Sequence, residues 1–358
     1  MENEQSTPQR DSWQTIWHFI GAPWRAYKWL YRGHPWYVKV LTALLSVVVA
    51  FVVWLLAVDN NLLWLFGKSP SMYTIINKHP DQASEIYSSD SVMIGKFFSE
   101  NRTPVKYEEV DTVFWQALVD TEDERFFHHH GIDFQAFAAA LKDYVVHHDA
   151  RGASTITQQL AKNLFRVRTE YSTGLLGNVP GLKMLIMKSK EWITALKLEW
   201  NFSKEEILTM YANTVDFGSN AFGIKTACKT YFGIHPSQLT PDQAAILVGM
   251  LKATTYYNPR LHPDNSKKRR NVVLDLMLKH HHLTAQQYDS LKTKDISLDY
   301  SVENVYDGQA NYFRQALDSY LDDWCRENGV DLYTDGLKIY TTIDTRMQHY
   351  AEEAAWEQ

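Results

Sequence analysis

Cysteine is almost missing from this chain: Cys228 and Cys325 are the only two among 358 residues. That excludes a disulfide framework and any zinc-ligand spacing built on cysteines. Nothing in the two positions says that they pair. Positive charge is also short. The net charge is −6 and no long basic run occurs, which argues against nucleic acid as a partner. There is no internal repeat and no low-complexity tract. An apolar fraction of 45% beside 22% charged residues describes an ordinary folded protein. The length suffices for one large domain or two modest ones.

One long apolar run stands out. Residues 40–58, VLTALLSVVVAFVVWLLAV, form an uncharged stretch of 19. At about 1.5 Å per residue it covers roughly 30 Å of hydrocarbon. Apolar residues on every face argue against a buried core helix. A cleaved signal peptide is excluded because 39 polar and aromatic residues come first. Arg25, Lys28, Arg32 and Lys39 precede the span, against Lys68 and Lys78 after it. This bias predicts a cytoplasmic N-terminus and an extracytoplasmic remainder. Trp13, Trp17, Trp24, Trp29 and Trp36 suit a headgroup interface or a small packed cytoplasmic helix.

Residues 59–105 read as a connector with short strands, in which SVMIGKFF places Val92, Ile94 and Phe97 or Phe98 among polar residues. From Val110 the spacing becomes helical: Val110, Val113, Phe114, Ala117 and Leu118, then Phe134, Phe137, Ala138, Leu141 and Val145. Capping boxes are expected at Thr155 with Gln158, Ser203 with Glu206, Thr240 with Gln243 and Thr284 with Gln287. Residues 106–300 therefore form one mainly α-helical domain. GLKIYTTID, from Gly336 to Asp344, alternates like a strand. Residues 301–358 read as the start of a linker, and the end of the chain looks like a cut.

Three segments can carry chemistry. In TEDERFFHHHGID, from Thr121 to Asp133, a carboxylate beside Phe126 and Phe127 can be desolvated towards a pKa useful for proton transfer. Acids at a helix end are common without that role. His128, His129 and His130 do not converge on a metal, because neighbouring side chains on a helix diverge. His280 to His282 read as a solvated turn. In GASTITQQLAKNLF, Ser154 or Thr155 opens a helix, and Gln158 and Lys162 share a face. That stripe holds phosphate oxygens or is a solvated face. Glu191 lies on the stripe of Thr194, Ala195 and Leu198 and points inward, with Lys188 or Lys190 as its partner. Glu199, Glu205 and Glu206 read as surface or capping residues.

Taken in order, these segments resemble glycosyltransferase family 51, the glycan-polymerising module of class A penicillin-binding proteins and monofunctional transglycosylases. The first motif is Glu122, Asp123, Phe126, His129 and Gly131; the second runs from Gly152 to Asn163. The third is Lys188 to Glu191, the fourth Ser203 to Gly218, and the fifth AAILVGMLKATTYYNP up to Pro259. The resemblance covers residues 85–300. It departs at Ala212, where the family has leucine, and at the arginine after Asn163, assigned here to Arg168.

The resemblance implies a lysozyme-like helical fold and lipid II as substrate. Glu122 would take the proton from the acceptor's 4-hydroxyl as it attacks the donor's anomeric carbon, with inversion and loss of a polyprenyl pyrophosphate. It implies Glu122 and Glu191 as catalytic residues. The substrate-binding set is Asp123, His129, Ser154, Thr155, Gln158, Gln159, Lys162, Asn163, Arg168, Lys190, Tyr211, Asn213 and Lys252. No cofactor is required; a divalent cation, Mg or Mn, near Glu191 is the metal expectation. Partners are lipid II, the growing glycan, the membrane and cell-wall assembly proteins. A lysozyme-like glycan-cleaving enzyme has no pyrophosphate to hold, so the stripe from Thr155 to Lys162 disfavours it. A non-catalytic membrane-anchored scaffold has no use for both Glu122 and Glu191. The linker resembles the entry to a transpeptidase domain, yet no S-x-x-K and no K-T-G occurs, so no β-lactam acylation is expected. The loop from Arg166 to Met187 is expected to be a mobile flap.

Overall fold

A computed structural model describes residues 25, 27–29, 31–78, 82–98, 103–147, 152, 154–169, 171–302 and 310–356. The chain order is α1 (Trp36–Asp59), α2 (Met72–Asn77), β1 (Ser84–Tyr87), β2 (Met93–Phe97), α3 (Thr112–Glu122), α4 (Phe134–His147), α5 (Ile156–Leu164) and α6 (Leu182–Asn201). There follow α7 (Lys204–Thr214), α8 (Ile224–Phe232), α9 (Pro241–Met250), α10 (Pro263–Lys279), α11 (Ala285–Thr293), α12 (Asn311–Asn328), β3 (Lys338–Tyr340) and α13 (Thr345–Trp356). The fold is mainly α, as the helical spacing predicts, with one small sheet.

The apolar run lies within α1, which begins after Pro35 because proline disfavours helix in the residue before it. Leu41, Leu44, Leu45 and Val47 are 60–68% exposed. In water each would forfeit about 1.5–3 kcal/mol of burial; a bilayer removes that cost. This is one helix long and apolar enough to cross a membrane. Among the described residues, its contacts with the rest of the domain come from its last turns. Val58 is sealed with Phe66, Ile186 and Ile193, and the Trp54 indole donates to Ser189 Oγ at 2.8 Å. Trp13, Trp17 and Trp24 lie outside the described residues.

The principal core fills the space between α3, α5, α7, α8, α9 and α10. Helix α9 runs through its middle: Ala244 to Met250 are all buried, against α10 on one side and α3 on the other. Gln243 returns to the Thr240 N–H at its start, and Ser203 with Glu206 and Thr284 with Gln287 close the same box. Thr155 does not. Its hydroxyl accepts from the Gln158 N–H, but the Gln158 amide goes elsewhere, to the Gly131 carbonyl. Cys228 lies in this core, whereas Cys325 lies in a second one with Ile86, Ile94, Phe97 and Leu332; both are free.

That second core is where the sequence reading falls short. Connector and C-terminal linker, read as separate stretches, share one sheet of order β2-β1-β3, with β1 antiparallel to β2 and parallel to β3. Ile86 pairs with Ile339 across it. Helix α4 differs too: Phe134 and Val145 are 65% and 66% exposed, so its apolar stripe does not enter the core. The expected flap is tied down in its middle. Leu176 N–H donates to Leu65 O at 2.9 Å, and Gly174, at φ +62°, lies so close to Leu65 and Gly67 that a Cβ would collide with their backbone.

Candidate active site

The site is built around the N-terminus of α5. Thr155 caps that helix, and its hydroxyl donates to Gly131 O at 2.7 Å, where the Gln158 amide also donates at 3.0 Å. Gly131 adopts φ +82°, a conformation open to glycine without a Cβ penalty, and its missing side chain admits the backbone of Ala195. Asp123 accepts from the Ile156 N–H at 3.0 Å and from His129 Nε2 at 2.9 Å. A carboxylate at a helix start is favoured by the orphan N–H groups there. Asp123, His129, Thr155 and Gln158 are therefore internal braces that lock the loop after α3 onto α5.

Glu122 closes α3 and is half-buried at a cleft of about 480 Å³, together with Asp120, Arg125, Ser154 and Thr155. Its Oε2 accepts from Gln159 Nε2 at 2.8 Å, and Gln159 Oε1 accepts from the Tyr211 hydroxyl at 2.9 Å. Tyr211 is buried, and burial together with the Glu122 charge pushes its phenol well above the ordinary range. It is thus a fixed donor, and it settles which end of the Gln159 amide faces Glu122. The carboxylate is oriented by a neutral chain.

Glu191 has the opposite surroundings. It is 1% exposed on α6, its Oε1 bound by Arg168 Nε and its Oε2 by Lys188 Nζ at 2.8 Å. Lys188 Nζ also donates to Ser154 Oγ at 2.9 Å and to Gln158 Oε1 at 3.0 Å. One ammonium thus joins the third motif to the second. Lys188 and Glu191 are three residues apart and share a face. A carboxylate already holding two cations fits a divalent metal ion poorly, since the ion would have to displace them.

Lys190 does not join this group. Fully buried, it donates to the carbonyls of Gly67, Lys68 and Ser172 at 3.1, 2.6 and 2.7 Å. Burial pushes its ammonium down to about 8. It pins α6 to the segment that follows the apolar helix, and is not open to a phosphate. Asn213 is likewise internal, exchanging two 2.9 Å bonds with the backbone of Val105. Lys162, Asn163 and Lys252 are exposed. The Gln158–Lys162 stripe is therefore split, with Gln158 inside and Lys162 outside.

One side chain read as surface proves otherwise, and one in the solvated histidine turn has a partner that was not foreseen. The Glu199 carboxylate is 4% exposed and joins Lys204 at 2.8 Å and the Thr157 hydroxyl at 2.6 Å, which clamps α5 to α6. His282 binds Asp120 at 2.6 Å. Among the described residues, Asp123, His129 and Asp133 are close enough together for a metal ion. Asp133, however, caps α4 through the N–H groups of Gln135 and Ala136, and meets Arg125 at 3.2 Å. Their oxygens are already committed.

The sequence model of the Transglycosylase family matches residues 90–278. Penicillin-binding protein 1A of Aquifex aeolicus is 35% identical over 317 residues, which are 88% of this chain and 41% of that protein. Penicillin-binding protein 1A of Escherichia coli is 33% identical over 286 residues, 80% of this chain and 32% of that one. Penicillin-binding protein 1A/1B of Bacillus subtilis is 37% identical over 276 residues, with 76% and 29% covered. A crystal structure of penicillin-binding protein 1A from Haemophilus influenzae aligns at TM-score 0.41 and 22% identity over 77% of this chain and 29% of that one. The chain spans less than half the length of these relatives. The family match takes in more than half of the chain and every residue around Glu122 and Glu191, so the chain belongs to the transglycosylase family.

Proposed function

We propose that this chain is a peptidoglycan glycosyltransferase that polymerises lipid II into glycan strands. The observation that carries the reading is the division of labour between two acids. Glu122 is half-buried, oriented by the neutral Gln159–Tyr211 chain and set at a cleft, while Glu191 organises Lys188 and Arg168. A carboxylate serves better as a general base without a cation on it, since pairing lowers its pKa and weakens it as a base.

In this reading Glu122 takes the proton of the acceptor's 4-hydroxyl while that oxygen forms a bond to the donor's anomeric carbon. The bond from that carbon to the pyrophosphate oxygen breaks, and polyprenyl pyrophosphate leaves with its electron pair. Attack opposite the leaving group inverts the centre. Lys188 and Arg168 are the cations best placed to meet the developing charge. Ser154 stands with them, and the exposed Lys162, Asn163 and Lys252 are left for the outer parts of donor and acceptor.

A lipid-linked donor asks for a site near the bilayer. Helix α1 packs directly on α6, the helix that carries Glu191. Leu175 and Met184, and Phe134 and Val145 on α4, add exposed apolar surface. Arg25, Lys28, Arg32 and Lys39 favour a cytoplasmic N-terminus and an extracytoplasmic site in the inner (cytoplasmic) membrane. The test is to supply lipid II and, separately, finished glycan to wild type and Glu122→Gln. Strand growth from lipid II that is lost in the variant is expected; cleavage of finished glycan would favour the lysozyme-like alternative instead.

A further inference from the structure

The run His280–His282 ends α10 in an unusual way. His281 sits at φ +63°, the left-handed conformation that glycine normally supplies after a helix. The N–H groups of His282 and Leu283 both turn back to Met277 O, at 2.9 and 3.3 Å. The chain thereby delivers His282 to the last turn of α3, where its Nδ1 lies 2.6 Å from Asp120 Oδ2. Asp120 is 6% exposed, lines the same cleft as Glu122 and precedes it by two residues. Burial holds the Asp120 carboxyl above its ordinary value, and the His282 contact opposes that shift only in part. On the other side of Glu122, Glu124 faces His280 at 3.4 Å and Lys279 at 3.5 Å. The acids two residues before and after Glu122 are thus both met by basic groups from one helix end, while the adjacent Asp123 is held by His129.

We infer that His282 is a positioning residue for the base: paired with Asp120, it fixes the final turn of α3 and balances the negative charge beside Glu122. The inference rests on Glu122 being the base. Three groups enter the argument besides the pair, namely Glu124 beyond α3 and Lys279 and His280 at the end of α10. An unbalanced Asp120 charge makes Glu122 harder to ionise; an unbalanced His282 charge makes it easier.

The experiment measures kcat, KM for lipid II and the acid limb of kcat for the full chain in detergent, with His282→Gln, Asp120→Asn, their double variant and Glu122→Gln. His282→Gln is expected to lower kcat about fivefold to tenfold at unchanged KM, with its acid limb moved to higher pH. Asp120→Asn, nearly isosteric, moves the limb the other way. The double variant returns both towards wild type, because with both partners gone neither charge is left unbalanced beside Glu122. A brace with no electrostatic part gives losses without opposed limbs, and that result overturns the inference, as does a wild-type kcat in His282→Gln. If Glu122→Gln stays active, it is the assignment of the base that fails; if only His282→Gln matches wild type, the base stands and this inference falls.

Discussion

The two glutamates lie on either side of one short helix start and are handled in opposite ways. Glu122 meets a neutral amide and the open cleft, and charge balance beside it comes from groups paired with neighbouring acids. Glu191 is sealed and doubly paired. The same side chain thus faces a cleft without a direct cation in one place and serves as a fixed counter-charge in the other. Two acids in a site are not evidence of two proton-transfer groups.

That contrast can be broken from either side. The largest effect is expected at Glu191. Glu191→Gln leaves Arg168 and Lys188 without their counter-charge, and breaking a buried pair costs about 3–5 kcal/mol. Both cations reach water, which places the loss at the lower end, readable as a fall in the denaturant midpoint with activity lost alongside. Lys188→Met should lower turnover of lipid II by about tenfold to a hundredfold, with far less change in stability, because Arg168 still holds Glu191. A Lys190→Met variant sharpens the point: three carbonyls lose their donor, so the midpoint should drop by more than in Lys188→Met. Tyr211→Phe removes one hydrogen bond of about 0.5–1.5 kcal/mol and lets the Gln159 amide turn. We expect kcat to fall several-fold with KM for lipid II unchanged. Chelator should have the smallest effect, since Lys188 and Arg168 already occupy the carboxylate that a metal ion would use.

Much of this was legible before any coordinates. The apolar run, the helical domain and the capping boxes at Ser203, Thr240 and Thr284 follow from spacing, because each depends on residues within a turn or two. Glu122 and Glu191 were legible from ordered motifs. What was not legible depends on direction and on the backbone. Lys188 and Lys190 are both plausible partners for Glu191 in a string of letters; only the three-residue spacing of Lys188 hints that it shares the face. The carbonyls of Gly131, Gly67 and Ser172, which decide where Gln158 and Lys190 point, carry no signal in residue type. Ser89 and Ile343 are bonded across 254 positions, and His282 and Asp120 across 162. Contacts that distant leave no periodic trace, so the shared sheet and the His282–Asp120 contact were both missed, although the turn at His280–His282 was read.

The most direct measurement is the pH dependence of strand growth in wild type, Glu122→Gln and Glu191→Gln, each assayed where it stays folded. Our reading predicts an acid limb in wild type that persists in the residual rate of Glu191→Gln and vanishes in Glu122→Gln. An acid limb that survives the loss of the Glu122 carboxylate and disappears with that of Glu191 would assign the proton transfer to the wrong acid and contradict the account.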